Sequence, residues 1–80
     1  MVQLKFMNLT MGEKIIRLRE QAGKTQAELA AYLKIAVEKY VRLEDDFVYP
    51  SDQQITTLGR FYGVGYEGVI ATGEDIGALG

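Results

Sequence analysis

The residues able to do chemistry in this chain gather between Thr25 and Glu44, in the run TQAELAAYLKIAVEKYVRLE. Arg42 carries a planar fork of donors that can hold both acceptors of a guanine edge, or a phosphate. Glu38 stands four residues before it, which on a helix puts the two on one face. Lys34 and Lys39 are cations suited to phosphate. Glu38 can accept from a cytosine amino group, and Ala36 and Val37 can touch only a thymine methyl. Thr25 and Gln26 open the segment, where helix N-terminal amides attract phosphate and Gln26 adds a side-chain donor. Each residue also has a plainer reading. Arg42 can be a solvated partner of Glu38, Lys34 a solvated lysine, Ala36 and Val37 a protein contact or core, and Thr25-Gln26 a helix start only.

Much other chemistry is excluded by composition. The 80 residues include no cysteine and no histidine. A disulfide or thiolate metal site is therefore impossible, and the commonest general base and metal ligand are missing. No glycine-rich phosphate loop or pair of catalytic carboxylates is visible, and Asp45, Asp46 and Asp52 lack calcium-loop spacing. The expectation is a protein that is not an enzyme, with no cofactor, no metal and no small-molecule substrate. Nine basic and eleven acidic residues give a net charge of −2, less basic than a dedicated nucleic-acid binder usually is. Local distribution can outweigh that total, because screening confines exposed charges to about 10 Å. No apolar run approaches the roughly 20 residues of a membrane span. The first residues lack the pattern of a signal peptide, so a soluble, cytoplasmic protein is expected.

The elements that must position these residues are marked by three capping boxes. Thr10-Met-Gly-Glu13, Thr25-Gln-Ala-Glu28 and Ser51-Asp-Gln-Gln54 each place a hydroxyl three residues before Glu or Gln, the reciprocal pattern of a helix start. The first helix is expected over about Met11 to Ala22, with Met11, Ile15, Leu18 and Ala22 on one face and Gly23 as its stop. The second spans about Gln26 to Leu33. The third starts near Ala36 or Val37 and ends near Asp45. The fourth spans Asp52 to Tyr62, burying Ile55, Leu58 and Phe61 or Tyr62. Gly59 inside it, at a propensity cost of about 1 kcal/mol, marks a close helix–helix approach. A short fifth helix, Tyr66 to Ala71, brings Val69 and Ile70 to the core or to a partner. Val2, Leu4 and Phe6 alternate with polar residues, a candidate short β-strand or extended arm. The expected division is an arm over 1–9, one helical domain over 10–72 and a mobile glycine-rich tail over 73–80.

Apolar or small residues at Leu29, Ala30, Leu33, Ile35, Tyr40 and Leu43 suit two short helices around a tight turn, a helix-turn-helix. At this point the chain resembles the Cro/C1-type (XRE-like) helix-turn-helix family, the domain of lambdoid phage repressors and many bacterial regulators. The matching pieces are LRE at 18–20, GKTQAELA at 23–30, LE at 43–44, PS at 50–51 and YGV at 62–64. The resemblance covers roughly Met11 to Ala71. It implies an all-α, five-helix domain whose second and third helices form the motif. It implies that Ala30 sits where these two helices touch, and that Arg19 and Glu44 form a structural salt bridge. It also implies double-stranded DNA as partner, Gln26 as a phosphate contact, and a transcriptional regulator reading the major groove with its third helix. Such modules act as homodimers because half-sites lie about 34 Å apart. Candidate dimer surfaces are Val69 and Ile70, the Val2-Leu4-Phe6 arm, or Phe47 and Tyr49. The DNA-binding set is thus Thr25, Gln26, Lys34, Ala36, Val37, Glu38, Lys39 and Arg42.

The chain departs from the family pattern in two places. Lys34 stands where the motif turn usually holds glycine, at a cost on the order of 1 kcal/mol if its φ is positive. Asp45 and Asp46 stand where relatives carry a polar or basic loop, and carboxylates beside phosphate repel it. These acids, with the apolar Ala36 and Val37, support an alternative: a protein-interaction module on the same fold, antirepressor-like or antitoxin-type, with weak or no DNA binding.

Overall fold

Three hydroxyl caps set three of the helix starts. The protein is described by a computed structural model over residues 9–73. The Thr10, Thr25 and Ser51 side chains each accept the N3 amide, and Glu13, Glu28 and Gln54 each return a bond to the cap amide. From these caps run α1 (Met11–Gln21), α2 (Gln26–Leu33) and α4 (Asp52–Tyr62), with α3 (Val37–Glu44) and α5 (Gly65–Ile70) between and after them. The domain is all-α with five helices, and no strand occurs among the described residues. The Val2-Leu4-Phe6 arm and residues 74–80 of the tail lie outside the described residues. No helix among them is long and apolar enough to cross a membrane.

One face of each helix supplies the core. Ile15, Leu29, Tyr40, Ile55, Leu58 and Val69 are fully buried, and Met11, Leu18, Ala30 and Leu43 nearly so. Leu33, Ile35, Phe61, Tyr62 and Ile70 are half-buried and pack against this cluster. The Tyr32 and Phe61 rings, 4.4 Å apart between centroids, tie α2 to α4. Ala22 is not part of the core face. α1 stops at Gln21, and Ala22 becomes its exposed C-cap before Gly23 turns at φ 70°. Helix α5 begins and ends one residue earlier than its sequence pattern suggests, and Val69 is sealed inside.

Two glycines fix how the helices pack. A Cβ on Gly59 would overlap the Gly65 carbonyl group, so α4 and the start of α5 approach backbone to backbone. A Cβ on Gly12 would strike the Glu44 carbonyl, so the start of α1 rests on the end of α3. Lys14, also on α1, is buried, and its ammonium group donates to the Ile70 carbonyl beyond its apolar stem. These close contacts hold α3 at fixed depth and leave its opposite side to solvent.

Candidate nucleic-acid interface

The inner side of α3 is anchored through a single carboxylate. Glu44 is 3% exposed. Its Oε2 accepts from Arg19 Nε at 2.6 Å, and its Oε1 from Arg19 Nη2 at 3.2 Å and Gln26 Nε2 at 2.9 Å. Arg19 Nη1 also donates to the Lys24 carbonyl at 3.0 Å. Helix α1, the α1–α2 turn, the first residue of α2 and the last of α3 are thus joined at one point. Burial pushes the Glu44 carboxyl up, but Arg19, the nearby Tyr40 hydroxyl and Gln26 favour its charged form more. Its pKa is therefore held below the ordinary carboxylate range. The Arg19 hydrogen bond to Glu44 likewise raises the guanidinium above its usual value. Burial also raises the Tyr40 phenol, and pushes that of Tyr62 up to about 12. Both hydroxyls are buried and complete no hydrogen bond among the described residues.

The outer side of α3 carries the sequence-derived candidates. Tyr40, Leu43 and Glu44 face inward, whereas Val37, Glu38, Lys39 and Arg42 are exposed, as is Ala36 before them. Ala36 and Val37 therefore do not belong to the core. Arg42 is not paired with Glu38; neither makes an ion pair among the described residues. Lys34, also exposed, closes α2 with φ 64° in the left-handed region, a strained geometry for a residue other than glycine. Between residues 34 and 42, three basic side chains face one acidic one, a local reversal of the chain's net −2.

Two helix N-termini lie beside this face in sequence. Thr25 consumes the third amide of α2 through its cap; the first two, on Gln26 and Ala27, have no intrahelical partner. Helix α3 has Ala36 as its N-cap, with no side-chain cap hydrogen bond, and the amides of Val37 and Glu38 have no intrahelical partner either. The Gln26 side chain is committed in part to Glu44, which leaves one of its two N–H groups for any further acceptor.

The acids after α3 divide. Asp45 is exposed at its C-cap. Asp46 does not simply end in solvent. With φ 64°, it turns back to α1, accepting from the Thr10 hydroxyl at 2.6 Å and the Gly12 amide at 2.8 Å. The carboxylate thus serves the positive end of the α1 dipole, and its charge is partly compensated there. No sequence signal marks this contact, which joins residues 34 and 36 positions apart. Comparison of the chain with protein-family models, curated proteins and solved structures gave no match.

Proposed function

We propose that this chain is a sequence-specific DNA-binding transcriptional regulator of the Cro/C1 helix-turn-helix type. In this reading it binds double-stranded DNA as a homodimer, with α3 in the major groove. The observation that carries the reading is the two-sided build of α3. Its inner side is bolted to α1 and α2 through Glu44, while its outer side presents Lys39 and Arg42 without partners among the described residues. A reading helix needs both properties, because base contacts discriminate only when the helix is held in one register. Arg42 serves as the base reader, and Lys34, Lys39, Gln26 and the first amides of α2 hold phosphates. The engagement of Asp46 with α1 removes one of the two repulsive carboxylates from the argument against DNA. Val69 is fully buried and so is not available to a dimer surface, while Ile70 is half-buried against the core.

Salt dependence tests the proposal. Affinity for mixed-sequence duplex DNA should fall linearly in a log–log plot against salt. Lys34→Ala and Lys39→Ala should each reduce the slope by about 1. An absence of duplex binding at low salt would end the proposal.

A further inference from the structure

The same edge of α3 borders a groove of about 270 Å³, lined by Ile35, Lys39, Arg42, Leu43, Val48 and Gln54. Its walls come from the α2–α3 turn, α3, the α3–α4 loop and the first turn of α4. Ile35, Leu43 and Val48 make it apolar, and Lys39 and Arg42 give it two cations with no ion-pair partner among the described residues. Val48 is 51% exposed and Phe47 beside it 77%. These are large apolar side chains to leave in water next to a charged helix.

Size and chemistry narrow the occupant. At about 270 Å³ and open to solvent along one side, the groove has room for one anchoring side chain of a larger partner. A phosphate backbone would meet the cations but leave the apolar walls uncovered. We propose that this groove docks an acidic peptide segment of a partner protein, carrying one large apolar side chain. The side chain packs on Ile35, Leu43 and Val48, flanking carboxylates meet Lys39 and Arg42, and the Gln54 amide can bond the peptide backbone. The charge match supplies the selectivity: a chain acidic overall offers two cations at the rim of an apolar groove that can hold an anchor. If the DNA-binding reading also holds, peptide and DNA compete for Lys39 and Arg42, and the partner acts as an inhibitor of DNA binding.

The test is a titration of the isotope-labelled full chain with a short acidic peptide bearing one central phenylalanine, without DNA. Chemical-shift changes should centre on Ile35, Lys39, Leu43, Val48 and Gln54. Affinity should fall about tenfold or more in Val48→Asp and in Arg42→Glu, and with a peptide whose phenylalanine is replaced by serine. Both protein positions are exposed, so the variants should keep the parent's helical circular dichroism and melting behaviour. Equal binding of the serine peptide, or of Val48→Asp, would overturn the proposal. So would groove shifts that depend on protein concentration alone, assigning the groove to a second copy. Groove shifts on Asp75→Asn without peptide would assign it instead to the chain's own Glu74-Asp75-Ile76 run. A second titration, with DNA present, reads the competition; its failure with peptide binding intact would sink only the DNA overlap.

Discussion

Replacing Glu44 with glutamine keeps the side-chain shape and removes the charge on which three helices converge. The Glu44 and Arg19 side chains are 2% and 15% exposed, so the pair is largely withdrawn from water. Breaking such a pair costs about 3–5 kcal/mol, because the remaining charge stays buried. Arg19 retains the Lys24 carbonyl and some solvent, which places the expected loss near the lower end, about 3 kcal/mol. A chain of this length has a total stability of about 4–12 kcal/mol, and each lost kcal/mol lowers Tm by about 4–8 °C. Glu44→Gln should therefore melt about 12–24 °C below the parent by circular dichroism. Arg19→Met/Glu44→Leu, which removes both charges, should be less destabilised than Glu44→Gln. The pair also sets a pH response. Glu44 has a lower pKa folded than unfolded, so protonation favours unfolding. Its stabilisation is complete above the ordinary value of 4.5 and is lost as the pH falls below that value and through the folded one. The glutamine variant should lack this part of the acid sensitivity. A loss under about 1 kcal/mol, or a double variant as unstable as the sum of its single changes, would refute the reasoning.

Three further substitutions probe the packing around the interface. Gly59→Ala gains about 1 kcal/mol of helix propensity, yet its methyl group meets the Gly65 backbone. A net loss is expected in urea unfolding, and a gain would contradict the close approach. Asp46→Ala removes two hydrogen bonds at the start of α1 and should cost about 1–3 kcal/mol; a melting temperature equal to the parent's would argue against the clamp. Lys34→Gly relieves a left-handed lysine and should stabilise by up to about 1 kcal/mol while weakening DNA binding. Stability and affinity moving in the same direction would count against a phosphate role for Lys34.

Local signals in the sequence carry most of this fold. A capping box is complete within four residues, so the starts at Thr10, Thr25 and Ser51 are legible and all three boxes form. Helix α3 has no capping side chain, and its start is correspondingly ambiguous between Ala36 and Val37 in the sequence. Ala22 fits the periodic face of α1 but falls at a C-cap, where periodicity no longer reports burial. The ion pair of Arg19 and Glu44 follows from a family resemblance, not from spacing. The Gln26 bond to Glu44, the return of Asp46 to Thr10 and Gly12, and the burial of Lys14 are not legible. Each depends on how separate helices meet, which no periodic pattern in one helix encodes. The outward position of Arg42 can be read from its spacing to Tyr40 and Leu43, whereas its separation from Glu38 cannot.

The central claim is that the outer face of α3 reads DNA sequence, and selection from a random duplex library tests it most directly. The parent chain should enrich a motif with two related half-sites about one helical turn apart. Arg42→Ala should lose preference at one position in each half-site, while its affinity for mixed-sequence DNA falls far less than its affinity for the enriched motif. A library that emerges with no enriched motif, or a motif unchanged by Arg42→Ala, would contradict it.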